Sequence, residues 1–259
     1  MARIETAYVT DIGRRHHVNQ DAGGAWQWPS GRGDGFLLVV ADGVSAGRHS
    51  EEASREATRL VQERLAPLLE SGAPGGEIAD ALDDAIRAAH QEIASRPHTR
   101  VDQADASTIV AAYGTANWCA GAWVGDSRAY LVRGDTVSQL TEDHSWAAEV
   151  VRRGLMDAEG AAADPRAHVI LRWLGPANGE DPGTERFGER LEPGDIVLCC
   201  SDGLSMYFYP PYGDPEEMAQ ILNARQTELQ AALQALVDTA LRRGGADNIT
   251  VAAARLVRS

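Results

Sequence analysis

Phe36-Leu37-Leu38-Val39-Val40-Ala41-Asp42-Gly43 and Ile196-Val197-Leu198-Cys199-Cys200-Ser201-Asp202-Gly203 share one pattern: a short apolar run ending on an Asp-Gly pair. Weaker echoes are Ala122-Trp123-Val124-Gly125-Asp126 and Gly245-Ala246-Asp247-Asn248-Ile249-Thr250-Val251. Such a run, short and bulky or β-branched, reads as a strand buried on both faces. A carboxylate at its mouth is held rigidly and partly dried, and the glycine after it admits backbone close to whatever the carboxylate binds. One Asp-Gly after a strand is an ordinary turn. Several with the same approach predict one site assembled from distant parts of the chain, with Asp42, Asp202 and Asp247 as its centre. Two carboxylates about 4 Å apart repel by roughly 4 kcal/mol at an effective dielectric near 20, so three together need protons or a cation. Oxygen-only ligands, with the Gly43 carbonyl available beside Asp42, favour hard ions such as Mg²⁺ or Mn²⁺. Two such ions would clamp a phosphate and lower the pKa of a water between them, chemistry that needs no protein nucleophile.

The elements that must position these residues are legible in outline. Ile4–Val9 reads as a first strand, followed by a polar stretch from Asp11 to Asp21. Trp26 and Trp28 belong to a short strand closed by a turn over residues 29–35. A helix opening at Ser50-Glu51-Glu52 carries Ala53, Ala57, Leu60, Val61, Leu65 and Leu68 on one face. A second carries Ile78, Leu82, Ile86, Ala89 and Ile93. Short strands follow at Ser107–Tyr113, Trp118–Val124, Arg128–Val132 and Thr136–Leu140. Asp143–Arg153 and Asp157–Ala163 read as helical, and Asp164–Asp181 as a surface excursion. Strands return at Thr184–Phe187 and Ile196–Cys200, then helices near Pro215–Asn223 and Thr227–Arg242, then a last strand at Asn248–Val257. Two batches of antiparallel strands, each followed by helices, predict sheets covered by helices on the outside. With no repeat or linker, residues 1–259 read as one domain.

Bulk properties exclude several functions. The 259-residue chain has a net charge of −14, which argues against nucleic acid and anionic membranes as main partners. No apolar run approaches the roughly 20 residues of a membrane span. The first residues lack the apolar core of a signal peptide. The three cysteines, two of them adjacent, do not make a disulfide framework. A soluble, cytoplasmic protein is expected. All 24 basic residues are Arg, so no phosphate-loop, kinase-type or Schiff-base lysine exists, and any phosphate must be met by Arg, His, backbone N–H or metal.

Six motifs together carry a resemblance: Gly13…Asn19-Gln20-Asp21, Val40-Ala41-Asp42-Gly43, Val124-Gly125-Asp126-Ser127-Arg128, Leu140-Thr141-Glu142-Asp143-His144-Ser145, Cys200-Ser201-Asp202-Gly203-Leu204 and Gly244-Gly245-Ala246-Asp247-Asn248-Ile249-Thr250. In this order, over nearly the whole chain, they resemble the bacterial metal-dependent Ser/Thr protein phosphatases of the type 2C (PPM) family. The resemblance implies an α+β fold, a four-layer α-β-β-α sandwich of two antiparallel sheets flanked by helices, with metals at one edge of both sheets. It implies that Asp42, Asp202 and Asp247 hold two core Mn²⁺ or Mg²⁺ ions. Asp21 and the Gly43 carbonyl would assist on one of them, and Asp126 with Asp202 would bind a third. The implied activity is hydrolysis of phosphoserine and phosphothreonine in a protein substrate, in opposition to a Ser/Thr kinase. Residues from about 150 to 186 would include a variable flap that shapes substrate choice.

The chain departs from the family pattern at three places. His16 stands where relatives usually carry a phosphate-binding Arg, with Arg14 and Arg15 adjacent as substitutes. Gln20 replaces a frequent Glu. Val44-Ser45-Ala46-Gly47 lacks the common Gly pair and His. These departures motivate one rival reading, a catalytically weak phosphoprotein-binding module of the same fold; a second rival is a phosphatase for a small phosphorylated metabolite. Among other residues, His144 reads as structural, His49 and His168 as surface or flap residues, and Arg128 as a brace for its loop. His17, beside His16, is balanced between phosphate contact and packing, and Trp118 and Trp123 read as strand-face residues. Tyr207-Phe208-Tyr209-Pro210-Pro211-Tyr212 reads first as a packed loop over helix ends, and second as a wall beside the active site or a partner contact.

Overall fold

The computed structural model describes residues 3–28, 34–44, 47, 49–97, 104–176, 179, 181–210, 212–224 and 228–257. The chain begins with β1 (Arg3–Asp11), β2 (Asp21–Trp28) and β3 (Gly35–Asp42), and then forms α1 (Ser50–Ser71) and α2 (Gly75–Ala94). Four strands follow: β4 (Ile109–Thr115), β5 (Trp118–Val124), β6 (Arg128–Arg133) and β7 (Thr136–Gln139). Two short helices, α3 (Trp146–Arg152) and α4 (Ala158–Ala163), lead to β8 (Glu185–Arg190) and β9 (Ile196–Cys200). A single turn of helix, α5 (Asp202–Ser205), precedes α6 (Pro215–Ala224), α7 (Leu229–Arg242) and the closing strand β10 (Ile249–Val257).

The strands form two antiparallel five-stranded sheets, ordered β1-β10-β9-β6-β7 and β2-β3-β4-β5-β8. Leu37, Val39 and Ala41 pack outward against α1 and α2, whereas Phe36, Leu38 and Val40 of the same strand pack inward with Val197, Cys199, Ala252 and Ala254 of the other sheet. The uninterrupted apolar run of β3 is thus the signature of a strand covered on both faces. On the far side, Leu198, Val251 and Ala253 bury against Leu222, Leu233 and Leu236 of α6 and α7. The result is the four-layer sandwich implied by the family resemblance.

Local departures from the expected elements are small and have causes. In α1 the fully buried stripe is Ala53, Ala57, Val61, Leu65 and Leu69, while Leu60 and Leu68 are half-buried. The helix ends at Gly72 in the left-handed conformation, where the Gly72 and Ala73 N–H groups return to Leu69 and Leu68 carbonyls. β2 is longer than its tryptophans suggested and begins at Asp21 itself, because its register with β3 extends to the Asp21–Asp42 pair. α3 starts at Trp146 after Ser145, whose hydroxyl accepts from the Ala148 N–H. The excursion between β7 and β8 therefore begins before residue 150. Expectations for residues 29–33, Ser45, Ala46, Pro211 and Thr227 lie outside the described residues.

Candidate active site

The aspartates converge because strand ends from both sheets meet at one edge. Antiparallel pairing sets Asp21 directly opposite Asp42. Asp202 follows β9, the strand that pairs with β10, and Asp247 lies two residues before β10 begins. Ser201 joins the two sheets: its hydroxyl donates to Asp21 Oδ2 at 2.8 Å and accepts from the Thr250 N–H at 3.0 Å. Asp42 is fixed through its backbone, since its N–H donates to Thr108 Oγ1 and its carbonyl accepts from the Thr108 N–H and the Ser107 hydroxyl.

Two asparagines tie the β1–β2 connection to this edge. Asn248 accepts from the Gln20 N–H at 2.7 Å and donates to the Ile12 and Val18 carbonyls. Asn19 accepts from the Asp21 N–H and donates to Thr10 Oγ1. Gly203 is packed so closely that a Cβ there would lie 1.9 Å from the Asn248 carbonyl oxygen. Gly13 (φ +75°) is similarly tight against the Asp247 carbonyl. Asn19, Asn248, Gly203 and Ser201 stand inside the six motifs, though the positioning role of Ser201 is not legible there; Thr108 lies outside them and has no signal of its own in the sequence.

The electrostatics are those of crowded carboxylates. Burial pushes Asp21 up to about 7, with Asp202 and Asp247 adding to the shift and hydrogen bonds from Thr250 and Ser201 opposing it. Asp42 is raised well above the usual carboxylate range by burial and then by Asp21, Asp202, Asp126 and Asp247. Burial likewise raises Asp126, helped by Asp202 and Asp143, and raises Asp202, helped by Asp247. Asp21 Oδ1 and Asp202 Oδ1 are buried without a hydrogen-bond partner. Orphaned anionic oxygens are costly unless a cation meets them. Among the described residues no three His, Cys, Asp or Glu side chains close into a ready-made cage. The acidic groups are close enough to raise one another's pKa values, and an all-oxygen set of this kind fits hard divalent ions.

The basic residues beside the site separate into different roles. His16 Nε2 lies 3.2 Å from Asp247 Oδ1. Arg14 Nε donates to the Leu241 carbonyl at 2.9 Å, at the C-terminal end of α7, where the helix dipole favours a cation. Arg15 is exposed, and no hydrogen bond or ion pair holds its guanidinium among the described residues. Arg128 braces its loop, as expected, through a two-pronged pair with Asp143 at 2.8 and 2.7 Å. His144 is buried, accepts from the Gly125 N–H, stacks on Trp123 and is lowered by burial and by Arg172. His49 and His17 are exposed. His168, also exposed, lies in the excursion and acts electrostatically on Asp202.

A cleft of about 750 Å³ opens from Asp126, Asp202 and Asp247 and runs between α3–α4 and the segment after α5. Tyr207 and Phe208 are buried, and the Tyr207 hydroxyl accepts from the Ala246 N–H at 2.8 Å. Tyr209, Pro210 and Tyr212 instead line the cleft. The aromatic segment is thus a packed support at Tyr207 and Phe208, with Tyr209, Pro210 and Tyr212 along the cleft.

With fold and site in view, the comparisons decide the family. Residues 12–238 match the family model described as Protein phosphatase 2C. The chain belongs to that family. The match ends before Asp247, which joins the site through the antiparallel pairing of β10. The serine/threonine phosphatase stp of Listeria innocua is 34% identical over 96% of this chain and 94% of its own length. The solved serine/threonine phosphatase of S. agalactiae superposes with a TM-score of 0.82 at 29% identity, covering 98% of this chain and all of that one. The catalytic domain of the phosphatase PstP in complex with two manganese ions gives 0.76 at 30% identity, with complete coverage of both chains. The family chemistry is metal-dependent hydrolysis of phosphoserine and phosphothreonine in proteins, with Mn²⁺ or Mg²⁺ as cofactor.

Proposed function

We propose that this chain hydrolyses phosphoserine or phosphothreonine on protein substrates through ions held by Asp21, Asp42, the Gly43 carbonyl, Asp202 and Asp247, with Asp126 and Asp202 taking a third. The observation that carries the residue assignment is the pair of orphaned, buried oxygens on Asp21 and Asp202 within a group of five mutually repelling aspartates. When bound, the ions supply an activated water and neutralise the charge that develops on the phosphoryl group. The protein's own work is positional. Ser201 and Thr108 lock Asp21 and Asp42, and Asn248 fixes the β1–β2 connection over the site. His16 orients Asp247, and the free Arg15 guanidinium, one residue away, meets the substrate phosphate in place of the usual arginine.

Residues 1–259 act as one catalytic domain, with the excursion that carries α3 and α4 as its flap. No helix among the described residues is long and apolar enough to cross a membrane, and we place the protein in the cytoplasm, opposing a Ser/Thr kinase. The test is Mn²⁺-dependent phosphate release from a phosphothreonine peptide, with Asp202→Asn alongside. Release that needs Mn²⁺ and vanishes in the variant supports the assignment. Undiminished release by Asp202→Asn refutes it.

A further inference from the structure

Every exposed large apolar side chain among the described residues lies in the segments between strands, none in the sheets. Ile12 and Val18 are in the β1–β2 connection, Val151, Leu155, Met156, Val169 and Leu171 are in the excursion, and Tyr212 follows α5. The cleft continues this apolar character inward. Beyond the carboxylates at one end, it is walled by Val151 and Ala161 on one side and by Met206, Tyr209 and Pro210 on the other. Its two guanidiniums are already engaged. Arg128 is paired with Asp143 and stacks over Tyr209 at 5.1 Å. Arg152 is paired with Glu149, and His168 acts on Asp202. Away from the ion-binding carboxylates, the cleft's guanidiniums are engaged and Glu142 adds negative charge, which disfavours an acidic group. It is far larger than a phosphate needs, and an apolar side chain would be dehydrated in it at no electrostatic cost.

We propose that this cleft is a specificity subsite that takes an apolar side chain of the phosphoprotein, close in sequence to the phosphorylated residue, and rejects an acidic one. The inference rests on the phosphatase reading above, because one end of the cleft is the catalytic carboxylate group itself. It makes Tyr212 and the α4 face carrying Ala162 determinants of substrate choice.

The experiment uses the full chain with Mn²⁺ and phosphothreonine peptides in which each position from roughly three before to three after the phosphothreonine is in turn Leu, Ala, Arg or Asp. At one or two positions Leu is expected to exceed Ala and Asp in kcat/KM by roughly tenfold, the equivalent of about 1.4 kcal/mol. Tyr212→Ala and Ala162→Asp, both at exposed positions, are each expected to bring the Leu-to-Asp ratio down severalfold. All peptides cleaved within twofold of one another, or Arg or Asp preferred throughout, would overturn the subsite while leaving the phosphatase intact. A Leu preference unchanged in both variants would place the selectivity outside this cleft. Failure to cleave any peptide would remove the phosphatase reading and the subsite with it.

Discussion

Replacing Asp21 by Asn is expected to stabilise the metal-free protein while weakening its metal binding. Asp21 is 7% exposed, and burial with its acidic neighbours lifts it from 3.8 to about 7. For a carboxyl raised on folding, the native state binds the proton more tightly than the unfolded chain. Stability is then fully present below the unfolded value and falls as pH rises toward the folded one. A shift of that size corresponds to up to about 4 kcal/mol of destabilisation at pH 7.5, at 1.36 kcal/mol per unit. The neighbouring carboxylates share the proton, so about half of this is expected to be recovered when one charge is deleted, near 2 kcal/mol or roughly 4–8 °C in Tm for a chain of this size. The amide oxygen of Asn still accepts from Ser201, whose hydroxyl lies 2.8 Å from Asp21 Oδ2. The assay is thermal unfolding in EDTA from pH 5 to 7.5, repeated with Mn²⁺. Wild type should lose stability as pH rises and regain about 2.7 kcal/mol at 100 times the metal Kd, and Asp21→Asn should flatten both responses. A variant no more stable than wild type in EDTA at pH 7.5, yet equally stabilised by Mn²⁺, would refute the repulsion argument and the ligand assignment together.

Three further outcomes follow from the geometry. Asn248→Ala removes one acceptor and two donors at the β1–β2 connection and should cost roughly 2–3 kcal/mol, read from urea unfolding of the metal-free protein. Gly203→Ala places a methyl 1.9 Å from the Asn248 carbonyl, so Asp202 must shift; Mn²⁺ affinity measured by calorimetry should fall at least tenfold, and an unchanged affinity would contradict the close packing. His16→Arg supplies a guanidinium beside Asp247 and should lower the KM for a phosphothreonine peptide severalfold with little change in kcat, whereas an unchanged KM would mean Arg15 already saturates that interaction.

The sequence by itself determined the strand interiors and singled out Asp42, Asp202 and Asp247 as one candidate acidic cluster. Strands covered on both faces must be apolar throughout, so β3 and β9 announce themselves, and an aspartate ending each one cannot be part of the core. The helix stripes were legible to within one residue: Leu69, not Leu68, completes the buried face of α1, because helical facing drifts where a three- or four-residue step is equally possible. What only the tertiary structure decided is which polar groups meet. Asp21 reads as part of a polar loop until the β2–β3 register sets it opposite Asp42. Ser201, 180 residues away in sequence, becomes its hydrogen-bond partner only when the two sheets stack. Arg14 and Arg15 are the same residue type and adjacent in the chain, and both are exposed, yet only Arg14 donates to a carbonyl at the end of α7. The aromatic segment after Asp202 divides in the same way, Tyr207 and Phe208 inward and Tyr209 and Tyr212 toward the cleft. Burial patterns arise from local periodicity and survive in the sequence. Partnerships between polar side chains depend on contacts across long stretches of chain, and no local pattern records them.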